Sequence, residues 1–132
     1  MKRDRSIFRN LLWFDCIAGA SVGLLVLLFS KWLTELYALP WELVLAMGIA
    51  NLVYASYSFS LAIQKPPRPL YRIVLLAAAN MAWTIPCFAM AMVFWGQATP
   101  FGQIQLIGEG LFVGILGYLE WYWRRALVGE PL

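Results

Sequence analysis

Three carboxylic acids of this 132-residue chain lie inside long apolar segments: Asp15, Glu109 and Glu120. An ionised carboxyl group at membrane depth costs roughly 3 kcal/mol or more unless it has a partner, so such residues typically mark functional sites. Glu109 has no basic residue within one helical turn. Glu120 precedes Arg124 by four residues, a spacing that favours an ion pair on a helix surface. We therefore predict that Asp15 and Glu109 bind protons or a ligand, and that Glu120 pairs with Arg124 at the membrane interface.

Glu109 and Glu120 are eleven positions apart, which returns them to nearly the same face of an α-helix. The same face carries Leu106, Val113 and Leu116. We predict that this face points into the protein.

Two further helical segments place polar and aromatic side chains at matching spacings. Asn80 and Trp83 are three positions apart in one segment, and Asn51 and Tyr54 in another. Such spacings put both members of a pair on one helix face. They predict a polar-lined interior whose ligand-binding or proton-linked residues are Asp15, Asn51, Tyr54, Asn80, Trp83 and Glu109. Hydrogen bonds that merely lock helices together are the alternative role for these residues.

The residue types present give little support to enzymatic or cofactor chemistry. The chain has no histidine, and its two cysteines form no C-x-x-C pair, so a haem, copper or zinc site lacks its usual ligands. We predict no metal and no cofactor. No nucleophile–base arrangement or phosphate-binding loop is recognisable, and a lipid-modifying enzyme that uses the acids in pairs is the least favoured function.

The elements that carry these residues are four apolar segments, at 11–30, 41–63, 71–95 and 103–123. Hydrophobic residues make up 62% of the chain and charged residues 13%, against about 45–50% and about 25% in soluble domains. Each segment meets the length of about 20 residues that a helix needs to cross a bilayer. We predict an all-α integral membrane protein, an antiparallel four-helix bundle that forms a single transmembrane domain over residues 1–132, with Ser30–Glu42 as the connection between the first two helices.

The basic residues predict the orientation of this bundle. If all four segments span the membrane, nine of the ten lysines and arginines fall on one side, and only Lys31 falls on the other. Short loops rich in Lys and Arg stay in the cytoplasm, so both termini are predicted to be cytoplasmic. The same charges favour contact with the anionic lipids of the bilayer. We predict no nucleic-acid partner, because no soluble basic face exists.

Several short motifs follow one another along the chain: Asp15 early in the first segment, LP at 39–40, NMAW at 80–83, TPFGQ at 99–103, GE at 108–109 and LEW at 119–121. In these motifs, and over its whole length, the chain resembles small bacterial four-helix integral membrane proteins. The resemblance implies a fold and a location in the bacterial inner membrane, and no activity. In architecture alone the chain is also similar to small multidrug-resistance exporters, although Asp15 replaces the glutamate of their first helix and the basic residues here are one-sided.

Two functions are compatible with these features. The first is the binding or transport of a small amphipathic ligand or ion by the polar interior. The second is a non-enzymatic structural or assembly subunit of a larger membrane complex. The Gly-x-x-x-Gly spacings at Gly19–Gly23 and Gly110–Gly114 predict close helix packing, either within one molecule or in a homo-oligomer or with a membrane partner protein.

Overall fold

The computed structural model describes residues 2–65 and 67–129, with side chains from Leu11 onward. These residues form helices and no strand, which confirms the predicted all-α class. Four of the helices are long and apolar enough to cross a membrane, with spans at Leu11–Leu28, Trp41–Ala62, Leu70–Val93 and Pro100–Tyr122. The six helices are α1 (Lys2–Leu28), α2 (Ser30–Tyr37), α3 (Trp41–Ala62), α4 (Leu70–Val93), α5 (Pro100–Tyr122) and α6 (Arg124–Val128).

Two parts of the chain are more helical than the apolar pattern suggests. α1 begins at Lys2, well before the apolar segment, and the connection predicted at Ser30–Glu42 contains the whole of α2. α2 buries Ser30 and Leu33, and it ends where Ala38 adopts the left-handed conformation with φ 54°. Packing of this short amphipathic helix stabilises it, because eight residues in water would be too few for a stable helix.

The long helices pack as two antiparallel pairs, α1 with α3 and α4 with α5. We refer to them as the first pair and the second pair. Glycines allow the backbones to touch within each pair: a Cβ atom added to Gly23 would lie 3.0 Å from the Gly48 carbonyl oxygen, and one added to Gly117 would lie 2.8 Å from the Ala77 carbonyl oxygen. Close packing of small residues therefore holds each pair together.

Apolar clusters close the two ends of the molecule. At the end that holds α2, the buried cluster includes Val26, Leu33, Val44, Met47 and Leu106. At the opposite end, which holds α6, it includes Leu12, Leu61, Ile73, Leu76 and Leu127. We call these the α2 end and the α6 end. Each cluster joins both helix pairs. Between the clusters lie the buried side chains of Asp15, Asn51, Asn80, Glu109 and Glu120, which we call the polar layer.

Arg68 ties the connection between α3 and α4 to the α6 end. Its guanidinium donates to the carbonyl oxygens of Leu61 at 2.6 Å and Leu127 at 2.8 Å, and only 7% of the residue is exposed. These carbonyls belong to the last turns of α3 and α6, which lack intrahelical partners. Arg68 is thus a helix cap as well as one of the charges that predict orientation.

The outer surface is apolar along the spans and aromatic near the two ends. Large side chains exposed there include Leu24, Ile49, Ile85, Met92 and Ile115, with Trp32, Trp41 and Trp95 towards the α2 end and Tyr71, Trp121 and Tyr122 towards the α6 end. An apolar band flanked by aromatic belts is the pattern of lipid-exposed helices. The fold is therefore that of a multi-pass membrane protein.

Candidate functional site

A cavity of about 330 Å³ lies in the polar layer between the two helix pairs. All four long helices contribute to its wall. Of the six residues predicted for the site, Asp15, Asn51, Tyr54, Asn80 and Glu109 line it. Trp83 does not line the cavity, but its ring lies 6.2 Å from that of Tyr54, which does. The structure thus brings all six predicted residues into one region.

Glu109 occupies the part of the wall nearer the α2 end and is only 8% exposed. The side-chain amide of Asn51 donates to Glu109 Oε1 at 2.5 Å and also to the Met47 carbonyl oxygen at 2.9 Å. The Sγ atom of Cys87 lies 3.7 Å from Glu109 Oε2. Uncharged donors from α3 and α4 therefore hold this carboxyl group.

A second polar cluster lies nearer the α6 end and joins three helices. Asn80 of α4 donates its side-chain amide to Asp15 Oδ2 of α1 at 3.0 Å and to Glu120 Oε1 of α5 at 2.6 Å. The shared Asn80 nitrogen thus brings the carboxyl groups of Asp15 and Glu120 together. All three residues are buried, and Glu120 is fully so. We call this group the Asp15–Asn80–Glu120 cluster.

The predicted ion pair between Glu120 and Arg124 is wrong. The guanidinium of Arg124 donates to the Trp121 carbonyl oxygen at 2.8 Å and lies 4.2 Å from the centre of the Trp121 ring. The reason is a break in the helix, because α5 ends at Tyr122 and Arg124 begins α6. The spacing of four residues then no longer places the two side chains on one helix face.

Tyr54 combines a lining role with a structural one. Its hydroxyl group donates to the Ala79 carbonyl oxygen of α4 at 3.2 Å. This bond links the first pair to the second beside the cavity, so part of the polar lining holds the helices together, as the alternative role predicted.

The mouth of the cavity lies between α1 and α5, which belong to different pairs. The rings of Phe14 on α1 and Phe112 on α5 are 5.8 Å apart at the edge of this gap, and both residues are exposed. Gly108 also lines the gap, and a Cβ atom added there would meet nothing within 4 Å. Ile104 beside it is 69% exposed. The mouth therefore opens on the apolar outer surface.

The predicted site residues did not include Glu120, Cys87, Gln105 and Tyr37, which also belong to this region. Gln105 lines the cavity four residues before Glu109 on the same helix, a spacing that could have identified it. Gln105 Oε1 accepts a hydrogen bond from the Tyr37 hydroxyl group at 3.4 Å. Burial raises the pKa of Tyr37, and the negative charge of Glu109 raises it further. Tyr37 comes from α2, whose position the apolar pattern did not predict.

The cavity wall is acidic, since Asp15 and Glu109 are its ionisable carboxyl groups and its lining contains neither lysine nor arginine. Within residues 2–65 and 67–129, no group of three or more His, Cys, Asp or Glu side chains could hold a metal ion. Comparisons with family models, with curated proteins and with solved structures find no match for this chain. The chemistry of the cavity is therefore inferred from its own residues.

Proposed function

We propose that this protein is a small four-helix protein of the bacterial inner membrane that binds or transports a small amphipathic ligand. The two pairs would form one antiparallel bundle with both termini in the cytoplasm. The α6 end would then be cytoplasmic, since it holds the connection with Lys65 and Arg72 and the pair Arg124 and Arg125, whereas Lys31 lies at the α2 end.

The cavity is the observation that carries this proposal. Its volume of about 330 Å³ lies at the lower end of the roughly 300–1,000 Å³ typical of small-molecule sites. Val22, Phe112 and Leu116 supply apolar surface, while Asp15 and Glu109 supply carboxyl groups. This combination suits a ligand with an apolar body and a cationic or hydrogen-bond-donating head. The apolar lips of the mouth favour such a ligand over a bare inorganic ion.

Asp15 and Glu109 are the proton-linked groups of this proposal. A carboxyl group in a low-dielectric site is stabilised either by a proton or by an opposite charge. A cationic ligand would therefore compete with a proton at these residues. Binding should consequently weaken as the pH falls.

The test begins with native mass spectrometry after lipid-retaining extraction. A monomer or small oligomer that carries a stoichiometric extra mass supports the proposal. Octylammonium, an amphipathic cation, then serves as a probe for binding in lipid nanodiscs. We expect Glu109→Gln to weaken its binding at least tenfold and to reduce the pH dependence to the part contributed by Asp15. Glu35→Gln is the matched control, because Glu35 is exposed on α2. Equal binding by both variants would contradict the proposal.

A structural or assembly subunit is the second candidate. The observation in its favour is that Asn51, Tyr54 and Asn80 all make hydrogen bonds that join the two helix pairs. A protein with this role would co-purify with a larger membrane complex and carry no extra small mass. Native mass spectrometry therefore separates the two functions.

A further inference from the structure

Glu120 has an unusual environment for an acidic residue. It is fully buried at the α6 end of the polar layer, and its Oε2 atom has no hydrogen-bond partner. Its other oxygen accepts a hydrogen bond from the amide nitrogen of Asn80, which also donates to Asp15 Oδ2. A buried acceptor without a donor is costly, so this atom indicates a missing donor.

A proton is the donor that fits. Two ionised carboxyl groups offer only acceptors and repel each other, so they cannot hydrogen-bond. If one of the two groups is protonated, its O–H donates to the other, and the orphaned oxygen gains a partner. Asn80 supports this arrangement because its single amide nitrogen donates to one oxygen of each acid.

We propose that Asp15 and Glu120 form a proton-binding site in which the two carboxyl groups share one proton. The site is distinct from Glu109, which has its own donors on α3 and α4. Asp15 lines the cavity and Glu120 does not, so the pair reaches from the cavity wall into the protein behind it.

The groups around the pair do not provide a substitute for the proton. Cys16 is adjacent to Asp15 on α1, Tyr54 lies across the cavity on α3, and Glu109 lies on α5. α4 contributes the neutral Asn80, and Arg124 of α6 is engaged by Trp121. Cys16, Tyr54, Glu109 and Asn80 carry no positive charge, and the positive charge of Arg124 is engaged by Trp121. None of these groups therefore replaces the proton between the two acids.

The shared proton also links the two helices that form the mouth. Asp15 lies on α1 and Glu120 on α5, and these helices do not pack closely in the part of the chain that the structure describes. Loss of the proton would place two like charges between them. We therefore expect deprotonation to widen the mouth, a consequence that rests on the proposed role of the cavity as a ligand site.

Infrared spectroscopy in lipid nanodiscs tests the proton site without any ligand. Near neutral pH the wild type should show a carbonyl stretching band of a protonated carboxylic acid that shifts in D₂O. The band should disappear in the double variant Asp15→Asn/Glu120→Gln, whose two amides can still hydrogen-bond and maintain the fold. It should persist in Glu109→Gln. A wild type without the band, or a band lost only in Glu109→Gln, would overturn the proposal.

A distance measurement tests the widening of the mouth. Spin labels at Phe14→Cys and Phe112→Cys, with Cys16 and Cys87 replaced by alanine, report the separation of α1 and α5. The distance should increase with pH over the range in which the infrared band is lost, and it should stay constant in the double amide variant. A constant distance in the otherwise unaltered chain would overturn the widening. An infrared band in a protein that binds no octylammonium would support the proton site and count against the proposed ligand.

Discussion

Asn80 joins three helices through two hydrogen bonds from one amide nitrogen, and it is only 2% exposed. Asn80→Leu keeps the approximate size but removes both donors, which leaves Asp15 and Glu120 without them. We expect the free energy of unfolding to fall by about 1–3 kcal/mol, as for other buried groups that lose their partners. Reversible unfolding in mixed detergent micelles measures this change. Ser56→Ala is the control, because Ser56 is exposed and bonds only the Leu52 carbonyl oxygen of its own helix. If Asn80→Leu and Ser56→Ala lost the same free energy of unfolding, the hydrogen bonds of Asn80 would contribute nothing to holding the helices together.

Tyr37 provides a reporter of the charge on Glu109. The pKa of Tyr37 is raised first by burial and then by the negative charge of Glu109. A phenol with a raised pKa in the folded state contributes stability that is complete below its unfolded pKa of about 10 and is lost as the pH rises through the folded value. Tyr37→Phe should therefore make the fall in stability above about pH 10 less steep, measured by unfolding at a series of pH values.

The same tyrosine gives a second measurement at the residue scale. Glu109→Gln removes the negative charge that contributes to the raised pKa, so Tyr37 should ionise at lower pH in this variant. Spectrophotometric titration of the phenolate measures the shift, and the Tyr37→Phe variant identifies which part of the curve belongs to this residue. An unchanged titration would mean that Glu109 is uncharged while Tyr37 ionises.

At the scale of the helices, glycines within a pair differ from the glycine at the mouth. A Cβ atom at Gly117 would lie 2.7 Å from Met81 Cγ and 2.8 Å from the Ala77 carbonyl oxygen, whereas one at Gly108 would meet open space. Gly117→Ala should lower the free energy of unfolding by about 1–3 kcal/mol, because α5 must move away from α4. Gly108→Ala should raise it by up to about 1 kcal/mol through helix propensity. Unfolding in mixed micelles shows whether each variant is more or less stable than the wild type. If both variants lost the same free energy of unfolding, Gly117 would not lie in a tighter contact than Gly108.

At the scale of the whole molecule, the orientation can be measured directly. Reporter domains that are active only in the cytoplasm should work when fused to either terminus, and reporters active only outside should work when inserted at Gly96. The physical reason is the excess of basic residues at the α6 end. The Lys31→Ala variant should keep this orientation, since it increases the charge difference between the sides. An external terminus in the wild type would contradict the proposed bundle.

The apolar pattern was sufficient to predict the helical class and the spans, because both depend on segment length and composition. It placed Glu120 on the inward face of its helix but assigned it the wrong partner, since the break after Tyr122 cannot be read from a spacing of four residues. Asn51 and Glu109 were both predicted for the site, whereas their mutual hydrogen bond depends on the register between α3 and α5. The mouth was not predictable at all, because it arises where α1 and α5 fail to pack.

The division of the molecule into two pairs leads to the last prediction. If a ligand enters between α1 and α5, a cross-link between these helices should slow its exchange. Cysteines at Phe14 and Phe112, whose rings are 5.8 Å apart, can be joined by a bifunctional thiol reagent with a reducible spacer once Cys16 and Cys87 are replaced by alanine. The matched control joins Trp13 to Phe59, whose rings are 5.9 Å apart within the first pair.

We expect the α1–α5 link to reduce the rates of octylammonium binding and release at least tenfold, which corresponds to a barrier raised by about 1.4 kcal/mol. The α1–α3 link should leave both rates within about twofold of those of the uncross-linked chain. Reduction of the link should restore exchange. Equal slowing by both links would mean that the helix pairs move within themselves during exchange, and unchanged rates in both would place the route at an end of the molecule. The ends are closed by the apolar clusters around Leu12 and Val26, whereas beside the cavity the pairs are joined by hydrogen bonds such as that from Asn51 to Glu109 and by single ring contacts such as that of Phe14 with Phe112. For this reason we expect the lateral route.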